Sequence, residues 1–312
     1  MPRSAKAIVR NPVSVIVREP REMPTPPRVA AVGPAPSLRM RRDFTLGWLP
    51  DVPDYRDHTV ESPGVKGLFK SGRPIKTSAL PDHVSDLRAY CSPVEDQQDL
   101  GSCTAQAVAG LVEYFENRAM GEFLDASRLF LYKTTRKLYG FDGDTGAYIR
   151  GTIRALRIFG VCPEEYWPYE TKDFDQEPTS FCYAFGQSYK AINYYRLWDA
   201  DPTRLLDQLR GSLANGLPFA FGFSVYSSIW DPDVQRTGDI PVPKDGDRLE
   251  GGHAVMAVGY DDKARRLQIR NSWGPSWGDG GYGTLPYEYI EKGMADDFWV
   301  LVTAEYVSLM GI

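Results

Sequence analysis

A cysteine at the start of a predicted helix is the feature that most constrains this chain. Cys103 follows Gly101 and Ser102. The apolar residues behind it recur at the spacing of one buried helix face; they are Val108, Leu111, Val112 and Phe115. Free backbone N–H groups at a helix start favour the thiolate and lower the pKa of a thiol. Cys103 is therefore predicted to be a nucleophile, although the pattern also fits a small buried core residue.

One of the three histidines begins an apolar run that predicts a buried strand. His253 leads that run, whereas His58 and His83 lie in polar surroundings. A polar turn at Asp262 predicts an antiparallel hairpin in which position 253 faces Asn271. Facing residues project to the same side of a sheet, with Cβ atoms roughly 5 Å apart. Asn271 can then orient the imidazole; the alternative, for the histidine alone, is a hydrogen-bonded core residue.

Gln97 lies upstream of Cys103 and offers a side-chain amide. Such an amide can donate a hydrogen bond to an oxyanion, together with the backbone N–H of Cys103. The alternative is an ordinary solvated glutamine. A thiol, a base, an orienting amide and an oxyanion donor together are the parts of a nucleophilic cysteine site.

These residues stand in motifs that resemble the papain family of cysteine peptidases. The motifs run from Leu80-Pro81-Asp82 through Gly-Ser-Cys103 and Gly-His253-Ala-Val to Asn271-Ser-Trp-Gly, and end near Trp299. The resemblance implies an α+β fold of two lobes, a helical lobe plus an antiparallel β-barrel lobe, with the active site in the cleft between them. It implies the following roles: Cys103 as nucleophile, His253 as base, Asn271 as its orienter, Gln97 at the oxyanion hole, and Trp273 and Trp277 as indoles that shield the His–Asn hydrogen bond.

The chain departs from the usual signature of that family around the nucleophile. Leu100 stands where the family has a first cysteine, and Thr104 where it has an aromatic residue. The partner half-cystine would fall near Asp144, so that disulfide is predicted to be absent. Gly252 precedes the histidine where relatives often carry Asp or Asn. These departures indicate a bacterial branch of the family.

The resemblance also implies where a peptide substrate lies. One wall of the cleft is expected to comprise Gly146, Ala147, Tyr148 and Ile149. The neighbouring side-chain pocket is expected to comprise Gly222, Gly251, Gly252, Asp296 and Asp297. An acidic floor would favour Arg or Lys two residues before the cut; the alternative is that both aspartates are solvated or cap a turn.

Composition narrows the remaining function classes. The net charge of −5 gives no case for nucleic acid as a partner, and no apolar run approaches the length of a membrane span. The four cysteines lack a metal-binding spacing, so we expect reduced thiols and no metal or cofactor. A monomer is expected, either cytoplasmic or exported without a standard signal peptide.

Four segments are predicted along the chain. Residues 1–42 hold nine Lys and Arg against two Glu, with eight prolines, which predicts a basic arm that is disordered or extended. Residues 43–79 are predicted to form an irregular extension, which is a candidate inhibitory segment. Residues 80–200 are predicted to form the mainly helical lobe with the nucleophile, and 201–312 the mainly β lobe with His253 and Asn271.

The sequence therefore predicts a cysteine endopeptidase that works through an acyl-enzyme intermediate, with peptides or proteins as substrates and its own N-terminal segment as a possible inhibitor. Two alternatives use the same fold. One is an acyltransferase or amidase with the same triad. The other is a catalytically silent binding module, which retention of both cysteine and histidine disfavours.

Overall fold

A computed structural model describes residues 45–68, 80–188 and 193–302. All of them belong to the unit that runs from Leu38 to Ile312. The predicted basic arm, residues 1–42, and the end of the extension, residues 69–79, lie outside the described residues. Within the described part of the chain, no helix is long and apolar enough to cross a membrane.

The helices begin and end largely where local sequence signals place them. The side chain of Ser127 caps helix α3 (Arg128–Tyr139) and accepts a hydrogen bond from the amide of Phe130 at 3.2 Å. The side chain of Asp201 caps helix α6 (Pro202–Ala214) and accepts a hydrogen bond from the amide of Thr203 at 2.9 Å. Pro202 takes the first helical position of α6, where its missing N–H costs nothing. The helices are α1 (Pro63–Leu68), α2 (Cys103–Met120), α3 (Arg128–Tyr139), α4 (Ile149–Phe159), α5 (Ser180–Gly186), α6 (Pro202–Ala214), α7 (Pro232–Thr237) and α8 (Glu288–Glu291).

The strands are β1 (His83–Val84), β2 (Asn193–Leu197), β3 (Phe219–Tyr226), β4 (Leu249–Asp261), β5 (Arg266–Arg270), β6 (Tyr282–Pro286) and β7 (Ala295–Val302). They form one antiparallel sheet in the order β2-β7-β3-β4-β5-β6, with β1 paired to β4. The predicted α+β class is confirmed, and the antiparallel sheet predicted as a β-barrel does not close into a barrel. Among the described strands, the terminal strands β2 and β6 each pair with one neighbour, so the sheet stays open.

The β4–β5 hairpin has a different register from the predicted one. Met256 faces Arg270, and a bulge follows between Ala257 and Gly259. Continued past Arg270, this register sets Asn271 opposite Val255, two residues from the predicted partner. A shift of two keeps His253 and Asn271 on one face of the sheet, whereas a shift of one would not.

The helix that carries the nucleophile packs on the strands that carry the base. α2 lies against β3 and β4, and its inner face is fully buried from Cys103 to Leu111. The strand β2 precedes residue 200 and the helix α6 follows it. Because Cys103 opens α2 and His253 lies within β4, this packing brings thiol and imidazole to one place.

Candidate active site

The Cys103 thiol lies at the first turn of α2 and is fully buried. The backbone amides of Ala254, Gly47 and Thr104 donate hydrogen bonds to its sulfur. Burial nevertheless raises the pKa of the thiol to about 11, and those three amides only moderate the increase. Burial of this site therefore disfavours the thiolate.

His253 and Asn271 form the contact that the hairpin prediction requires. His253 Nε2 lies 2.7 Å from Asn271 Oδ1, which also accepts the amide of Ser272 at 2.8 Å. The other ring nitrogen, Nδ1, is buried and makes no hydrogen bond within the described part of the chain. Burial lowers the pKa of His253 to about 4, although the bond to Asn271 opposes the shift. Burial therefore disfavours the imidazolium as well.

The His253 ring packs against a cluster of three indoles. The His253 ring stacks on Trp273 at 4.6 Å between centroids, and Trp277 meets Trp273 edge-on at 5.6 Å. Both indoles are almost fully buried. Trp230 stacks on Trp273 at 5.6 Å; the sequence pattern gave no sign of this third ring.

The Gln97 amide is held in a fixed orientation by Ser272. Ser272 Oγ donates to Gln97 Oε1 at 2.7 Å, which turns Nε2 away from Ser272. Gln97 Nε2 donates to the carbonyls of Leu100 at 2.9 Å and Thr45 at 2.8 Å. Ser272 was not predicted as a site residue, although it lies between Asn271 and Trp273 in the motif.

A stretch of the N-terminal extension, residues 45–49, lies across the nucleophile; we call it the cleft segment. Its backbone pairs with both sides of the cleft. Ala147 donates to the Gly47 carbonyl at 2.8 Å and accepts the amide of Leu49 at 3.0 Å, while the amide of Trp48 donates to the Gly252 carbonyl at 3.0 Å. Thr45 Oγ1 donates to the Asp99 carbonyl at 2.5 Å.

Glycines make this close approach possible. A Cβ on Gly47 would lie 2.0 Å from the Gly101 carbonyl oxygen, so no side chain fits between the segment and the nucleophile turn. A Cβ on Gly222 would lie 1.9 Å from the ring of Trp48. The other predicted wall glycines would meet the segment as well: Gly146 at the Gly47 carbonyl (2.2 Å), Gly252 at the Trp48 carbonyl (2.6 Å) and Gly251 at Leu46 (3.1 Å).

The profile of the family described as Papain family cysteine protease matches residues 80–299. This chain belongs to that family. Its members hydrolyse peptide bonds.

Individual relatives agree with this assignment. The chain is 34% identical over 270 residues to an uncharacterized peptidase C1-like protein of Acanthamoeba polyphaga mimivirus, covering 82% of the chain and 86% of that protein. It is 29% identical to chymopapain of Carica papaya, covering 62% of the chain but 51% of chymopapain. Among solved structures it is similar to xylellain, a cysteine protease from Xylella fastidiosa, with 38% identity, a TM-score of 0.69, and coverage of 85% of the chain and 99% of xylellain.

The predicted side-chain pocket holds the indole of Trp48. Trp48 Nε1 donates to Asp297 Oδ2 at 3.3 Å, and Trp299 Nε1 donates to Asp297 Oδ1 at 2.8 Å. Asp297 is fully buried, so the alternative of a solvated aspartate is wrong for it. Burial raises the pKa of Asp297 to about 6, against the opposing effect of the Arg196 guanidinium.

The remaining predicted cleft residues make other contacts. Asp296 accepts from Arg196 at 3.1 Å and, at 2.6 Å, from the amide of Asp297. The ring of Tyr148 packs on Tyr139, and Ile149 is buried at the start of α4. The contacts of the cleft segment on this wall come from Gly146 and Ala147.

Two arginines hold the extension just beyond the cleft segment, and neither was predicted. Arg150 on α4 pairs with Asp51 and Asp57, each at 3.1 Å. Arg196 on β2 donates to the Asp51 carbonyl at 3.0 Å and lies 3.6 Å from Asp57. The extension is therefore anchored on both a helix and the sheet.

All four cysteines lie in the described part of the chain and are free thiols. The family disulfide that Leu100 and Asp144 make impossible is absent, as the sequence predicts. The same two chain segments are joined instead by Asp144, whose carboxylate accepts the amide of Gly101.

Proposed function

We propose that this chain is a cysteine peptidase whose catalytic residues are Cys103, His253 and Asn271, and that residues 45–49 hold it inactive. The observation that carries the proposal is the hydrogen bond of 2.8 Å from Gln97 Nε2 to the Thr45 carbonyl. An amide placed to stabilise an oxyanion instead binds a carbonyl of the chain itself.

In the proposed reaction, His253 Nδ1 takes the proton of the Cys103 thiol while Asn271 holds Nε2. The thiolate attacks the substrate carbonyl, and the Gln97 amide and the Cys103 N–H stabilise the oxyanion. The imidazolium then protonates the leaving amine, which departs and leaves a thioester. Water, deprotonated by the same imidazole, hydrolyses the thioester and regenerates the thiol.

The inhibitory role rests on three properties of the cleft segment. It occupies both walls through backbone hydrogen bonds, it fills the side-chain pocket with Trp48, and it excludes water from thiol and imidazole. Burial opposes both charges of an imidazolium–thiolate pair, so the covered site favours the neutral, unreactive pair. Ion pairs of Asp51 and Asp57 with Arg150 keep the segment in place.

Reaction of the full chain with an epoxide probe that alkylates cysteine nucleophiles tests this proposal. We expect slow labelling of the natural chain, labelling at least about ten times faster for Trp48→Ala, and none for Trp48→Ala combined with Cys103→Ala. Tyr55→Ala is the matched control, because Tyr55 is an aromatic residue of the same extension with 96% of its surface exposed. It should label like the natural chain.

The outcomes separate the alternatives. Equal labelling of Trp48→Ala and the natural chain would refute inhibition by the cleft segment. Rapid labelling without hydrolysis of a peptide pool, or products joined to an added amine instead of water, would point to acyl transfer. A Cys103 that resists the probe in every variant would point to a silent binding module.

A further inference from the structure

The pocket that holds Trp48 is shaped for a flat ring. The ring lies directly on the backbone of Gly222, and only 7% of Trp48 is exposed. Its Cε3 edge lies against Gly252, where a Cβ would come within 2.7 Å. Two glycines without side chains leave a slot whose width is set by backbone atoms.

The polar end of the slot presents one oxygen atom. Asp297 has φ of 67°, a left-handed backbone conformation that is rare outside glycine and that aims its carboxylate between two indoles. Oδ1 accepts from Trp299 at 2.8 Å and lies 3.5 Å from Arg196 Nη1. Oδ2 is left for the group in the pocket, and Trp48 Nε1 donates to it.

The flat slot with one acceptor oxygen suits an indole and does not suit a guanidinium. An indole brings one N–H donor to one acceptor and buries the rest of its surface as apolar ring. A guanidinium brings five donors, and a buried donor without an acceptor is destabilising. A basic side chain would also lie beside Arg196, which is 1% exposed and already pairs with Asp297.

Resting on the function proposed above, we propose that this pocket selects substrates with tryptophan, and next with other large aromatic residues, two positions before the cleaved bond. Arg196 is the residue that determines this specificity, because its buried guanidinium, which also pairs with Asp57 and Asp296, lies 3.5 Å from Asp297 Oδ1 and disfavours a second basic group beside it. Trp48 occupies the pocket as the chain's own copy of the preferred side chain. The preference for Arg or Lys that an acidic floor suggests is thereby reversed.

Binding to the emptied pocket tests the selectivity without requiring activity. Trp48→Ala in the full chain should leave a cavity of indole shape, which a free ring can enter. We expect indole at millimolar concentration to raise the melting temperature of Trp48→Ala by about 2–4 °C, and to leave the natural chain unchanged. N-methylindole, which lacks the N–H donor, should bind about ten times more weakly. Butylguanidinium, at matched ionic strength, should not stabilise the variant.

Each contrary result would overturn the proposal. Stabilisation by butylguanidinium equal to or greater than that by indole would show a pocket for basic side chains. Equal binding of N-methylindole would remove Asp297 Oδ2 as an acceptor, and equal stabilisation of the natural chain by indole would place the site elsewhere.

Peptide hydrolysis by the same full-length variant provides the second measurement. Substrates that differ only two residues before the cut, with Trp, Phe, Leu or Arg there, should give the highest kcat/KM for Trp and the lowest for Arg, by at least about tenfold. Residual blocking by the cleft segment lowers all four values by the same factor, so their ratios are preserved. If no peptide is cleaved while indole still binds, the proposed function fails and the pocket selectivity stands.

Discussion

The Asp144 carboxylate accepts the backbone amide of Gly101 through both oxygens, each at 3.0 Å. The hydroxyl of Tyr132 donates to the same carboxylate. Gly101 belongs to the turn that positions Cys103, and Asp144 lies just before the cleft wall at Gly146 and Ala147. A polar contact therefore joins the nucleophile turn to the wall where a disulfide joins them in the usual family signature.

Replacing Asp144 with alanine should destabilise the chain by roughly 1–3 kcal/mol, because the Gly101 amide and the Tyr132 hydroxyl would lose their acceptor. Urea unfolding of the two chains measures the loss. Asp142→Ala is the matched control, since Asp142 lies exposed in the same loop and should change stability by less than about 0.5 kcal/mol. Equal unfolding of both variants would show that the Asp144 contact contributes nothing.

Removing the Gln97 amide should slow turnover far more than it weakens substrate binding. In the Trp48→Ala background, Gln97→Ala is expected to lower kcat by about 10²–10³, the usual effect of losing one oxyanion donor. Ser272→Ala should lower kcat by a smaller factor, about tenfold, because Gln97 keeps its amide but loses the bond of 2.7 Å that orients it. Steady-state kinetics with one peptide substrate distinguishes these; an effect confined to KM would place Gln97 outside the oxyanion hole.

Much of the active site could be predicted because its parts are encoded locally. The periodicity behind Cys103 predicts α2, and the apolar run after His253 predicts β4. Side chains alternate between the two faces of a strand, so a register that differs from the predicted one by two residues still places His253 and Asn271 on the same face. The bulge between Ala257 and Gly259 reduces the offset from three residues near the turn to two residues beyond it, and it has no sequence signal beyond Gly259 itself.

The contacts of the cleft segment could not be predicted in the same way. Thr45 meets Gln97, and Trp48 meets Asp297, across 52 and 249 residues of chain. Nothing in the periodicity of residues 45–49 indicates such partners, and Arg150 and Arg196 gave no separate signal. Sequence reasoning could propose an inhibitory extension but could not say which of its residues reach the thiol.

Gly222 offers a way to expel Trp48 without altering the cleft segment. In Gly222→Ala the new methyl group would overlap the indole, whose Cε2 atom lies 1.9 Å from the position of that Cβ. We expect Cys103 of this full-length variant to react with an epoxide probe about ten times faster than in the natural chain. Gly64→Ala is the control, since a Cβ there meets nothing within 4 Å. Unchanged labelling in Gly222→Ala would mean that the indole does not determine access.

The buried imidazole predicts how stability depends on pH. The pKa of His253 is lowered to about 4 from an ordinary value of 6.5, so between these values the unfolded chain binds a proton that the folded chain does not. The contribution of this group is therefore fully present above pH 6.5 and is lost as the pH falls towards 4.

The loss is roughly 3 kcal/mol when each pKa unit counts about 1.4 kcal/mol. His253→Asn removes the titrating group, so its free energy of unfolding should decline less steeply between pH 6.5 and 4 than that of the natural chain. Urea unfolding of both chains at several pH values measures the difference, and the carboxylates common to both cancel. Parallel curves would show that the folded chain can protonate His253, and that the cleft segment does not keep the imidazole from water.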